Sequence, residues 1–231
     1  MKKIIIINKG SGFTVDFVGN ALHWFNAGGP VMYILLLASV IAAAVIIERA
    51  RYYNNAAVSF GAYEKSLRAA FSKGDLAKIK LQYEQSGRPA DMIVAAALRA
   101  AERQGSLGSI SHAMENAAQL AAANLRRFLP ILSVLVTLAP LCGLLGTVIG
   151  MINSFSVFDL QAGSAMAITG GVGEALVATA SGLAVAIAAL VGHSYFSCRL
   201  DNMIGDMEKL SSIIIEELSV KLEGSGRHEA A

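Results

Sequence analysis

Hydrophobic and polar positions fall into long blocks along this chain. No charged residue occurs from Gly28 to Ile47, and from Phe128 to Cys198 there is no Lys or Arg and only two acids, Asp159 and Glu174. A helix needs about 17–25 consecutive apolar residues to cross a bilayer. The pattern therefore predicts three transmembrane helices, at residues 28–48, 128–158 and 165–198, with a short outer turn at 159–164. Gly28-Gly29-Pro30 opens the first span, since Pro suits the first turn of a helix. Glu48, Arg49 and Arg51 close it, and its helix is expected to run on to about Arg68. Pro130 and Pro140 predict kinks in the second span.

The blocks between the spans read differently. Residues 49–127 are rich in Ala, Leu, Lys and Glu at helical spacing, which predicts a small helical bundle. Its breaks are expected at Gly74-Asp75, at Gly87-Arg88-Pro89 and between Gly105 and Gly108. Ser109 or Ser111 can cap a long helix that runs through Arg126 and Arg127 into the second span. After the third span, residues 199–222 form an amphipathic helix with Leu200, Met203, Met207, Leu210 and Ile214 on one face. Residues 224–231 are expected to be disordered. Within 1–27, residues 13–26 read as an amphipathic helix at a membrane surface, with Trp24 at headgroup level. The four isoleucines from Ile4 to Ile7 are fewer than the roughly 7–15 apolar residues of a signal peptide core, so no cleavage is expected.

The fold class is thus an all-α membrane protein: three transmembrane helices with long cytoplasmic helical extensions. Arg49, Arg51, Arg126, Arg127 and Arg199 flank one side of the spans. By the positive-inside rule this puts the N-terminus outside and the C-terminus inside.

Composition narrows the functions. Of 231 residues, 55% are hydrophobic and 16% charged, and the formal net charge is +2. That balance excludes disorder and gives no footing for a nucleic-acid partner. Cys142 and Cys198 lie far apart in sequence, with no metal-ligand spacing, and read as packing thiols. His23, His112, His193 and His228 are scattered and no nucleophile sits beside a base, so neither an enzyme nor a cofactor is expected.

Glu174 carries the candidate chemistry. About ten residues into the third span, at about 1.5 Å per residue, it is expected near the middle of the bilayer. Acids in such places usually mark ion or proton pathways. Thr147 on the second span falls at nearly the same depth. Ser181 lies within about 20° of Glu174 on the helix wheel, whereas Thr179 is about 140° away. Gly143, Gly146 and Gly150 on the second span, and Ala178 and Gly182 on the third, are small enough for close helix packing. In an oligomer these small faces are expected to line a central lumen.

Two stretches resemble a known family. Ala139-Pro140-Leu141-Cys142-Gly143-Leu144-Leu145-Gly146-Thr147-Val148-Ile149-Gly150 is similar to the second-span motif of the ExbB/TolQ/MotA proton channels. Gly173-Glu174-Ala175-Leu176-Val177-Ala178-Thr179-Ala180-Ser181-Gly182 is similar to their third-span motif. Gly28-Gly29-Pro30-Val31-Met32 with Ile47-Glu48-Arg49 also fits ExbB-like members. Ala188 stands where the family usually has proline, and Gly171-Val172-Gly173 is looser than the usual Gly-Ile-Ala.

The resemblance implies a stator unit in a bacterial inner membrane. Such a homo-oligomer, a pentamer in the ExbB and MotA types, surrounds two copies of an ExbD/TolR-like single-span partner with a membrane aspartate. A TonB-like protein and lipid are further implied partners. Carried over by motif, Glu174, Thr147 and Thr179 face the proton path. TolQ-like envelope or motility work stays open as an alternative. A structural scaffold would leave Glu174 without a reason, and a secondary transporter would need repeats that three unequal spans lack.

Overall fold

The computed structural model describes residues 25, 28–57, 59–73, 81, 83–103, 106–160 and 165–229. Six helices make up the described chain: α1 (Val31–Ala56), α2 (Phe60–Lys73), α3 (Pro89–Glu102), α4 (Leu107–Arg126), α5 (Leu129–Leu160) and α6 (Ala165–Glu229). No strand occurs among the described residues. Three helices are long and apolar enough to cross a membrane. The surface helix expected at 13–26 (Phe25 apart), the break at Gly74-Asp75, Gly105 and most of the 159–164 turn lie outside the described residues. Asp159 itself lies inside α5, which runs to Leu160.

The chain divides into two compact units. The first contains Ile131–His193 with the chain up to Val45. Here α1 buries Val31, Leu35, Ala38, Ala42 and Val45, a three-to-four-residue spacing that lays one stripe against its neighbours. Val31, Met32 and Leu35 pack with Ala139 of α5 and Ala186 of α6, and Cys142 and Ile149 close around them. The opposite faces carry Tyr33, Leu36, Leu37, Leu144 and Ile187, all exposed. A helix bundle apolar both inside and outside suits a lipid surround.

The second unit contains Ile46–Pro130 and the chain from Ser194 onward. Its core is built from Leu67, Phe71, Ile93, Leu98, Ile110, Met114, Leu210 and Ile214, each at most 1% exposed. Side chains of this size contribute about 1.5–3 kcal/mol each when fully buried. The tail face read from sequence is used here: Leu200, Met207, Leu210 and Ile214 are buried, and Met203 partly so. Tyr53 stacks on Phe196 with ring centres 5.5 Å apart. Arg68 joins α2 to α6 through Glu217 at 2.7 Å. Asp91, buried in the first turn of α3, accepts hydrogen bonds from the Tyr63 and Ser86 hydroxyls. Tyr83 packs edge-on against Tyr63, and burial, with the Asp91 charge behind it, pushes its phenol above the ordinary range.

Several local expectations are corrected. α1 stops at Ala56 and α2 restarts at Phe60. Asn54 and Asn55 are weak helix formers, and the Ser59 carbonyl accepts the first bond of the new helix from Tyr63 N–H at 2.9 Å. α4 is capped by Ser106, whose hydroxyl accepts from Ser109 N–H, and not by Ser109 or Ser111. α6 runs unbroken from the third span through Glu229, where disorder was expected from residue 224. Cys198 is exposed, so only Cys142 packs inward. The Gly87-Arg88-Pro89 break is present, with Gly87 at φ 64° and Pro89 as the first residue of α3.

The expected continuous helix from α4 into α5 is also absent. α4 ends at Arg126, Phe128 takes φ 70°, and α5 starts at Leu129. Pro130 explains the break. It has no N–H to donate to the Arg126 carbonyl, and its ring would clash there. A left-handed aromatic residue is strained, and the surroundings hold it. Arg49, 2% exposed, donates to the Asn124 and Leu125 carbonyls at 3.1 and 3.2 Å. Tyr53 donates to Leu125 at 2.9 Å. Arg49 pairs with Glu48, and the Phe128 ring lies against the Arg49 and Arg127 guanidiniums, 5.2 and 4.8 Å away. These contacts satisfy carbonyls that end a helix without partners of their own.

Candidate proton-path site

The site residues all belong to the first unit, on α1, α5 and α6. α5 and α6 run antiparallel, and their small residues face one another in register. A Cβ added at Gly143 would lie 3.1 Å from the Thr179 Cα, and one at Gly146 would lie 2.6 Å from the Ala178 Cβ. At Gly150 it would meet Ala175 Cβ and the Gly171 carbonyl at 3.0 Å. Seen from α6, a Cβ at Gly182 would reach the Ala139 carbonyl at 2.6 Å and the Gly143 Cα at 3.0 Å. No side chain fits at these four glycines. Helices lacking a hydrophobic drive in lipid associate through such close contact. The small faces therefore meet inside one chain and are not free to line a lumen, as sequence reasoning had expected.

This closeness brings hydroxyls to carbonyls. Thr179 Oγ1 donates across the helix pair to the Gly143 carbonyl at 2.9 Å. Ser154, 3% exposed, donates within α5 to Gly150 at 2.7 Å. Thr147 donates within its own helix to Leu144 at 2.6 Å. Ser181 is half-buried on α6. The polar set is thus divided. Thr179 belongs to the α5–α6 contact, and Thr147 turns back on its own backbone.

Glu174 is half-buried, and its carboxylate lies over Gly29 at the head of α1. Any side chain at Gly29 would collide with Oε1 and would approach Cδ to 3.0 Å. Gly29 itself has φ 69°, a conformation glycine adopts without penalty. Next to it, Gly28 packs so tightly that an added Cβ would come within 2.6 Å of the Met32 sulfur and 3.3 Å of Val177. The carboxylate is therefore level with the first turn of α1. The first N–H groups of a helix lack partners within it, and negative charge is favoured there. Sequence reasoning read Gly29 only as part of the Gly-Gly-Pro opening of the first span. Its partner is 145 positions away, and the Gly-Gly-Pro opening of the first span was the one available signal. Among the described residues, no three His, Cys, Asp or Glu side chains gather where they could hold a metal ion.

A three-span helical membrane protein with a carboxyl group set among glycine-packed apolar helices has the architecture of an ion-conducting or energy-coupling subunit. Residues 85–209 match the profile of the MotA/TolQ/ExbB proton channel family, and the chain belongs to that family. Among its relatives is a putative biopolymer transport protein, ExbB-like 3, of Synechocystis. The two are 35% identical over 74% of this chain and 81% of the relative. A putative ExbB homolog of Methanothermobacter thermautotrophicus is 28% identical over 86% of this chain and 71% of its own length. The Tol-Pal system protein TolQ of Pseudomonas aeruginosa is 30% identical over 76% of this chain and 80% of its own. The protein is thus a multi-pass membrane protein of a proton channel family, one not known for enzymes, whose members act with partner proteins in transport complexes.

Proposed function

We propose that this chain is a stator subunit driven by the proton motive force, of the ExbB type. It forms a homo-oligomeric ring, five subunits by family likeness, around two single-span partner helices that each carry a membrane aspartate. Proton flow past Glu174 is coupled to work on the cell envelope, such as transport across the outer membrane. The orientation is N-terminus out, with the second unit cytoplasmic. Moving one charge through 100 mV releases about 2.3 kcal/mol, enough to drive a small conformational step on each passage.

The observation that carries this reading is Glu174. A carboxyl group in an apolar helix bundle is costly, and such acids usually mark ion or proton pathways; this one lies in a stretch that contains no Lys or Arg from Phe128 to Cys198. The relation to TolQ supports a second reading, in which the load is envelope constriction or motility. The periplasmic domain of the co-encoded partner distinguishes the two.

The test is Glu174→Ala at matched membrane levels. The protein should still insert and assemble, since removing the acid relieves a desolvation penalty, while partner-dependent work stops. Glu174→Gln should also fail if proton exchange is required. Normal work by Glu174→Ala would make the residue structural and end the proton-path reading. For orientation, single cysteines at Ser106 and Ser164 in a background lacking Cys142 and Cys198 should label from outside only at 164. Labelling at 106 alone would reverse the topology.

A further inference from the structure

We infer that Gly29 is a positioning residue for Glu174: the absent side chain at the head of α1 is the seat that the carboxylate occupies. The inference rests on the proton-path reading of Glu174 and deepens it by naming a residue of the first span that sets where the acid stands.

Three observations converge on this position. First, the volume a Cβ would take at Gly29 is filled by the acid itself, with Oε1, Cδ and Cγ all in contact range and Cδ and Cγ at 3.0 and 3.5 Å. Second, Gly29 has φ 69°, so its backbone turns in a way that β-carbon-bearing residues rarely adopt. Third, the seat is braced on both sides. Gly28 is buried against Met32 and Val177, and Met32 N–H donates to the Gly29 carbonyl at 3.1 Å. The turn is thus locked to the first helical turn of α1, and Val177 belongs to the same helix as Glu174, one turn on. The carboxylate cannot shift toward α1 without striking backbone, so its available positions lie on the open side. That restriction is what a site needs if the acid must meet a proton donor at a fixed place.

A seat defined by missing volume makes a size-specific prediction. Gly29→Ala should displace Glu174, but should leave a shorter acid, Glu174→Asp, undisturbed, because the carboxyl is then withdrawn by one methylene. Groups in direct contact show such non-additivity, whereas a general disturbance of the turn does not. The readout is labelling of the acid at position 174 by the apolar carbodiimide dicyclohexylcarbodiimide. It is followed in native membranes across pH by mass spectrometry of the peptide. Four chains are compared: the natural protein, Gly29→Ala, Glu174→Asp, and the double variant.

Gly29→Ala should change the labelling rate about threefold or more and shift its pH profile. The same change in the Glu174→Asp background should alter neither. If Gly29→Ala does not accumulate in membranes, Gly29→Asn replaces it, since Asn tolerates the left-handed backbone. Unchanged labelling in the Gly29 variant, or an equal shift in both backgrounds, would overturn the seat. Neither result bears on whether Glu174 carries protons, which Glu174→Ala decides by loss or retention of partner-dependent work. Conversely, a working Glu174→Ala protein whose labelling data obey the size rule would keep the seat and remove its function.

Discussion

Each of the two units of this protein has its own means of cohesion, and the means are opposite. In the first, α5 and α6 touch where side chains are missing, at Gly143, Gly146, Gly150 and Gly182. In the second, helices meet through large side chains such as Leu67, Phe71, Ile93 and Met114, through the Arg68–Glu217 pair, and through the Arg49 cap on α4. The difference follows from the surrounding solvent. Water drives apolar side chains together, so bulk stabilises. Lipid exerts no such drive, so helices adhere only where backbones can approach and dispersion and hydrogen bonds can act. The first unit should therefore be sensitive to added volume and tolerant of a lost hydroxyl, and the second sensitive to lost volume and lost caps.

The largest expected effect breaks the first half of that contrast. Gly182→Leu should prevent α5 and α6 from closing, at about 3 kcal/mol or more, because its Cβ alone would reach the Ala139 carbonyl at 2.6 Å. Thermal unfolding in mild detergent should then begin at a lower temperature than in the natural protein. Next comes Arg49→Ala, expected to cost about 2 kcal/mol through its lost charged hydrogen bonds. It removes the donor to the Asn124 carbonyl, leaves Leu125 with Tyr53 alone, and takes away the ion partner of Glu48. Thermal unfolding in mild detergent should show the loss, and Arg49→Lys should recover only part, since an ammonium lacks the planar fork.

Tyr63→Phe is a smaller test, costing about 1–2 kcal/mol, because one Asp91 oxygen loses its donor. An alkaline titration sharpens the same region. The Tyr83 phenol holds its proton more tightly in the fold than a free phenol does. The unfolded chain therefore releases that proton first, and above about pH 10 stability should fall as pH rises. Tyr83→Phe should flatten that fall. The smallest effect belongs to the hairpin. Thr179→Val keeps shape and loses the bond to Gly143, which in membranes is worth about 0.6 kcal/mol. A loss several times larger would mean that the hydroxyl does more than brace the helices.

What could be read from the sequence follows the same divide. The three spans, the apolar face of the tail and the Gly87-Arg88-Pro89 break were legible because each depends on local pattern alone. The break at Phe128 was not, although Pro130 stood in view. A proline two residues into a helix and one inside a kinked helix look alike in sequence, and the Arg49 cap that favours the break comes from 79 positions away. Ser106 was passed over for Ser109 and Ser111 because Gly108 resembles a breaker, yet it sits inside α4. At the site, the candidate acid was legible from its isolation, and its surroundings were not. Wheel geometry correctly separated Thr179 from Glu174, but it could not say that Thr179 turns to Gly143 or that Glu174 turns to Gly29. Both contacts depend on which helices meet.

The glycine contacts between α5 and α6 have a consequence for how such a subunit can change over time. The small residues that hold the hairpin closed point inward, while Leu141, Leu144, Leu145, Val148, Ile152 and Phe155 remain exposed on the outer side of α5. Adhesion within the chain and acquaintance with neighbours are thus written on separate faces of one helix. Mutations among the outward leucines can try new companions, in protein or lipid, while the hairpin beneath them keeps its form. Drift on one face need not wait for permission from the other.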